Sequence, residues 1–152
     1  MKTLIAIDPG ASGAIVSRTT EGTIRVEKMP DTPKGILEVL EDMTLLDEKM
    51  TDLFGVVENV GGYRPGNSGP SACKFARHCG HLDMALLASE IPHDRVAPSV
   101  WMRAIMKTVP SDKKDRKNAI KAFVQRRFPS IKVTLWNADA LGMLIYLMEK
   151  EK

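Results

Sequence analysis

Two unbroken apolar runs mark the first part of the chain, Thr3-Leu4-Ile5-Ala6-Ile7 and Leu53-Phe54-Gly55-Val56-Val57. Short runs of this kind, bounded by turn residues, predict strands buried on both faces. Between them, Ala14 to Arg18 reads as a second strand. Ile24 to Lys28, after the turn Thr20-Glu21-Gly22, alternates apolar and polar residues as a third strand does. The period then changes. Asp31-Thr32-Pro33 places a capping residue before proline, and Ile36, Leu37, Leu40 and Met43 follow at helical spacing.

The later part of the chain is mostly helical in pattern. A helix is predicted from about Ser71 to Ser89, with Phe75, Cys79, Leu82 and Leu86 on one face. Arg95-Val96-Ala97 reads as a short strand, and Pro98 to Met106 as one or two helical turns. A basic helix ends before Phe128-Pro129, and Ile131 to Leu135 reads as extended. Asn137 is the expected cap of a last helix that turns Leu141, Leu144, Ile145 and Met148 inward. The connection from Gly61 to Pro70 is glycine-rich and long for a passive loop.

Composition narrows the class. The 152 residues are read as one domain, with 43% apolar and 27% charged residues, neither disordered nor membrane-embedded. No apolar run approaches a membrane span, and no secretory signal is evident before Asp8. Two cysteines, Cys73 and Cys79, are too few for a disulfide framework, so a cytoplasmic, reducing compartment is expected. The net charge is only +3, yet Asp112 to Arg127 holds seven basic and two acidic residues, leaving −2 for the rest. That asymmetry points to a polyanionic partner, although a solvated helix face also accounts for it.

Three acids stand at informative places. Asp8 closes the first apolar run and opens the tight turn Asp8-Pro9-Gly10-Ala11-Ser12-Gly13, Glu58 closes the second run, and Asp139 falls in the first turn of the last helix. If the two runs are parallel neighbours, Asp8 and Glu58 lie side by side. Carboxylates that close resist joint ionisation unless a cation lies between them. Such oxygen donors suit Mg²⁺ or Mn²⁺, which activate water and stabilise a leaving oxygen in phosphodiester hydrolysis. Each acid also has a structural role open to it: Asp8 as a turn cap, Glu58 as an exposed strand end, Asp139 as a partner of the helix dipole.

Taken in order, Ile5-Ala6-Ile7-Asp8-Pro9-Gly10, Val56-Val57-Glu58-Asn59-Val60, Val96-Ala97-Pro98-Ser99-Val100-Trp101 and Ala138-Asp139-Ala140-Leu141 resemble the RuvC family of Holliday-junction resolvases, within the RNase H-like superfamily. The basic stretch from Lys113 to Phe128-Pro129 looks like that of small phage-borne members. The resemblance implies an α/β fold, with a mixed five-stranded sheet of order 3-2-1-4-5 flanked by helices. It further implies a homodimer that uses Mg²⁺ to nick opposed strands of a four-way junction, in a prokaryotic or phage-infected cell. Asp8, Glu58 and Asp139 would be its catalytic, metal-binding acids. The family pattern has a fourth ligand three residues before the last aspartate. Trp136 stands there and cannot bind a metal.

The remaining features are read against that resemblance. Tyr63 is a candidate stacking partner for an unpaired base, or a loop anchor, and Arg64 a candidate phosphate contact. Lys113, Lys114, Lys117 and Lys121 are candidate DNA contacts. Cys73, His78, Cys79 and His81 match no ordinary zinc spacing. Gly80, with Ala72 and Ala76, suits close approach of a second copy beside the apolar row of Phe75, Cys79, Leu82 and Leu86. Three other functions compete: a non-catalytic binder of branched DNA, a nuclease of flaps or forks, and an actin-like or sugar-kinase-like phosphate-binding domain. The last needs a second domain and an adenosine site that this chain does not display.

Overall fold

The computed structural model describes residues 2–45, 52–61, 66 and 68–151. Its strands are β1 (Thr3–Asp8), β2 (Ala14–Arg18), β3 (Ile24–Lys28), β4 (Leu53–Glu58) and β5 (His93–Val96). Its helices are α1 (Pro33–Leu45), α2 (Gly69–Ala88), α3 (Pro98–Ile105), α4 (Lys113–Arg127) and α5 (Ala138–Lys150). The strands form one mixed sheet of order β3-β2-β1-β4-β5, the order implied by the resemblance. β1, β2 and β3 pair antiparallel, whereas β4 runs parallel to β1 and β5 parallel to β4.

Strand alternation sorts the side chains into two cores. Leu4 and Ala6 of β1, Val16 of β2 and Val56 of β4 face α3, α4 and α5. Ile5, Ile7, Ile15 and Val57 face α1 and α2. Burial on both faces is why β1 reads as an unbroken apolar run. α5 is buried from Ala140 to Leu147, because the sheet covers one side while α3 and α4 pack on others. Met148 is only partly buried.

Several boundaries move for identifiable reasons. Ala97 is the N-cap of α3 rather than a strand residue, since Pro98 has no N–H for the ladder and suits the first helical position. The extended segment expected from Ile131 to Leu135 forms no strand. Gln125 takes the place of a neighbouring strand: its Nε2 donates to the carbonyls of Phe128 (3.2 Å) and Ile131 (2.9 Å), and its Oε1 accepts from the Val133 N–H (3.1 Å). Thr32 caps α1, its Oγ1 accepting from the Gly35 N–H at 3.0 Å. Asp112 caps α4 with two bonds of 2.9 Å from the Lys114 and Asp115 N–H groups.

The expectation that the whole apolar row of α2 meets a second copy needs correction. Leu82, Ala85 and Leu86 are buried in this chain's own core, so Leu82 and Leu86 are not open to a second copy. Phe75 and Cys79 are only half-buried. Twenty residues of helix rise about 30 Å and a six-residue strand spans about 20 Å, so the start of α2 outruns the sheet. No described helix is long and apolar enough to cross a membrane.

Candidate active site

The hairpin that carries Asp8 is fixed by glycine. Gly10 has φ +111°, which an L side chain rarely adopts. The Gly13 N–H bonds the Gly10 carbonyl at 3.0 Å, and a Cβ on Gly13 would overlap the carbonyl of Asp8 itself. The turn is therefore clamped onto the backbone of the acid it presents.

β1 and β4 set the first pair. Ile7 lies opposite Val57 in the parallel register, so Asp8 and Glu58 are the next positions along adjacent strands. Strands in a sheet lie about 4.8 Å apart. By alternation, Asp8 follows Leu4 and Ala6, and Glu58 follows Val56, onto the face that α5 covers. Glu58 is 6% exposed, which rules out the exposed strand end. Burying a carboxylate without donors is costly. Trp101 Nε1 donates to Glu58 Oε1 at 3.0 Å.

Trp101 also joins α3 to α5. Its ring is fully buried, and a Cβ on Gly142 would stand 2.7 Å from Cζ3 of that ring. Gly142 is one helical turn beyond Asp139, so the indole spans from the end of β4 to the opening turns of α5. Neither residue is among the site residues read from the sequence. Trp101 was visible as part of the family-like segment, while Gly142 carried no signal.

The direction of α5 brings in the third acid. Lys2 Nζ lies 3.5 Å from Glu151 Oε1, so the C-terminal end of α5 sits at the start of β1. From there, the twelve helical steps back to Asp139 rise about 18 Å and the six strand steps from Lys2 to Asp8 about 20 Å. The run of α5 thus carries Asp139 toward the end of the sheet that bears Asp8 and Glu58. Burial pushes the Asp139 carboxyl above the ordinary aspartate range, and the cations of Lys117 and Arg116 partly offset this.

The basic helix therefore approaches the acids along one side only. Of the expected DNA contacts, Lys117 faces Asp139, while Lys113 and Lys114 are exposed on the first turn and Lys121 is half-buried one turn beyond Lys117. Arg116 joins Lys117 there, although it was not singled out among the candidate contacts. Its Nη1 is pinned by the carbonyls of Pro110 (3.3 Å) and Ser111 (2.9 Å). Tyr63 and Arg64 lie outside the described residues.

Asp8, Glu58 and Asp139 are all oxygen donors, which in type suit a hard divalent cation. Among the described residues, however, no three His, Cys, Asp or Glu side chains stand together as a metal-holding group. Trp136 packs against the core beneath α5. Asn137 occupies the N-cap position without making the expected cap bond. Its side chain turns back instead, Oδ1 accepting from the Thr134 N–H (2.8 Å) and Nδ2 donating to the Lys132 carbonyl (3.2 Å). Among the described residues, nothing lies within 4 Å of a Cβ placed on Gly80, so none of them packs closely there.

No protein-family model matches the sequence, and no curated protein matches it. Solved structures do. The fold is similar to T. thermophilus RuvC in complex with a Holliday junction substrate, with TM-score 0.62 and 16% identity over 96% of this chain and 92% of that chain. A second Thermus thermophilus RuvC structure gives TM-score 0.56 and 15% identity over 97% of this chain and 96% of that one. The chain has the RuvC form of the RNase H-like fold.

Proposed function

We propose that this protein is a Mg²⁺-dependent endonuclease of branched DNA, cutting Holliday junctions or related flaps and forks. What supports the reading is the RuvC-like fold, with Asp8 and Glu58 at neighbouring strand ends and Asp139 in the first turn of α5 beside Lys117 and Arg116. Asp8, Glu58 and Asp139 would hold Mg²⁺, with Mn²⁺ able to substitute. When bound, such an ion polarises a water for attack and stabilises the oxygen leaving a phosphodiester.

The chain's own residues do the rest. Trp101 fixes the rotation of the Glu58 carboxylate and keeps water from its buried oxygen. Lys117 and Arg116 favour the ionised form of Asp139 and attract a phosphate to it. Lys113, Lys114 and Lys121 extend that positive face along the DNA backbone. Tyr63 and Arg64 are suited to stack on an unpaired base and to contact a phosphate. The face of α2 bearing Gly80, Met84 and Leu87 is open, with Met84 62% and Leu87 69% exposed, and fits a homodimer presenting two sites to opposed strands. The proposed setting is the cytoplasm of a prokaryotic or phage-infected cell.

Trp136 favours a second reading, in which the chain binds branched DNA without cutting it. The two separate when junction, flap, fork and linear duplex are each incubated with protein in Mg²⁺ and in EDTA. Mg²⁺-dependent nicking confined to branched substrates supports the nuclease. Junction binding with intact strands at every metal concentration overturns it.

A further inference from the structure

A cleft of about 360 Å³ opens between α3, the connection after it and α4, lined by Pro98, Ser99, Met102, Arg103, Val109 and Arg116. Two of these residues are arginines and none is acidic. Arg103 is exposed and forms no ion pair among the described residues. Arg116 is held in place, since its Nη1 donates to the carbonyls of Pro110 and Ser111. Neutral carbonyls fix the guanidinium without cancelling its charge. Asp139 senses that charge, but it is not among the residues lining the cleft.

The other walls differ in kind. Pro98, Met102 and Val109 are half-buried and give the cleft an apolar side. Ser99 adds an exposed hydroxyl in the opening turn of α3. Its backbone N–H is open as well. Pro98 has no N–H, and those of Val100 and Trp101 bond the Ala97 carbonyl at 3.0 and 3.4 Å, which leaves the Ser99 N–H without a backbone partner among the described residues.

We propose that this cleft binds a phosphate monoester, either the terminal phosphate of a DNA strand or that of a free nucleotide. Guanidinium forks match phosphate oxygens in geometry as well as charge. A monoester carries close to two negative charges at neutral pH, whereas a diester within a strand carries one. Two arginines on one cleft, with no acid among its walls, therefore favour the monoester. The cleft is roomier than a phosphate needs and lies at the lower end of the usual ligand-pocket range. Its apolar side suits the sugar and base attached to that phosphate. The inference stands apart from the nuclease reading, because it needs neither a metal nor a cut strand.

The test compares short single-stranded oligonucleotides with a phosphate at the 5′ end, at the 3′ end or at neither, bound in EDTA and followed by anisotropy. Wild-type protein should prefer one phosphorylated strand by about tenfold, as one charge-assisted hydrogen bond provides. Arg103→Gln should remove that preference, and so should Ser99→Glu, which sets a negative charge in the cleft. Arg126→Gln, outside this cleft on another face of α4, should weaken all strands alike and keep the preference. Thymidine 5′-monophosphate titrated by calorimetry without DNA separates the sources. Heat that Arg103→Gln loses assigns a free nucleotide, and no heat beside a strand preference assigns a strand end. Equal affinity for all strands with no nucleotide binding overturns the inference, as does a preference that survives Arg103→Gln and Ser99→Glu. Wild-type protein that binds the nucleotide through Arg103 but binds no junction overturns the proposed function and upholds this inference.

Discussion

Trp101 and Glu58 are joined by a buried hydrogen bond of 3.0 Å from the indole Nε1 to the carboxylate Oε1. The bond ties α3 to the last residue of β4 and fixes the one candidate acid that is fully buried. Each partner answers a need of the other, since an indole N–H in a core requires an acceptor as much as a carboxylate requires a donor.

Trp101→Phe removes the donor and keeps most of the packing. Losing this bond to a buried carboxylate should cost about 1–3 kcal/mol, read as a lower urea midpoint at unchanged slope. Adding Glu58→Gln should restore part of the loss, and a double-mutant cycle gives the coupling.

Gly142→Ala tests the same joint from the other side. The added methyl meets Trp101 Cζ3 at 2.7 Å, so the indole must move. Overpacking of this kind costs about 1–3 kcal/mol and outweighs the roughly 1 kcal/mol that Ala adds to a helix. Thermal unfolding should show a lower Tm, and Mg²⁺-dependent nicking should fall as Glu58 is displaced.

Asp8→Asn, Glu58→Gln and Asp139→Asn should each lower nicking beyond the roughly 10–100-fold typical of outer-shell partners of a metal site. Junction affinity in EDTA should change little, because phosphate contacts elsewhere hold the DNA. Gel assays of cutting and binding on the same preparations check this, and a wild-type rate for Asp8→Asn rejects the assignment.

Asp139 links the site to pH. Its folded-state pKa lies above the unfolded value, so between the two the native chain holds more protons and stability falls as pH rises. Above the folded value that loss is complete. Asp139→Asn should therefore be more stable than wild type at neutral pH, with the gain vanishing below the ordinary aspartate pKa. Lys117→Met removes an offsetting cation and should move the acidic limb of the nicking profile to higher pH. Unfolding curves and rates across pH 3–9 would show both.

Lys113, Lys114 and Lys117 changed together to Ala should weaken junction binding at low salt and leave the circular dichroism spectrum intact. Each lost phosphate contact should flatten the log–log salt dependence by about 1. An unchanged slope would place this helix away from the DNA.

Strand periodicity and turn chemistry made the sheet legible, because β1 and β4 needed only local apolar runs and their terminal acids to be seen. β2 and β3 follow the same logic. Asp139 was legible as a helix-start acid, but its approach to the Asp8 end of the sheet depends on the antiparallel run of α5, set by the core packing of Leu141, Leu144 and Ile145, and no local pattern encodes that. Asn137 misled because its residue type suits a cap, whereas a tertiary loop claims its side chain. Gln125 misled in the opposite way, supplying from a helix the bonds a strand would have received. Phe75 sits at the spacing of a core residue, yet α2 has outrun the sheet by the time it arrives.

The antiparallel run of α5 also sets when the site exists. Asp8 and Glu58 are in place once β1 and β4 pair, but Asp139 arrives only after the intervening helices are made and α5 docks. On a ribosome, where domains form progressively during synthesis, α5 follows every strand, so the sheet face of Leu4, Ala6 and Val56 stays uncovered until α5 docks. Under the proposed function, docking of α5 is then the step that completes the cutting site.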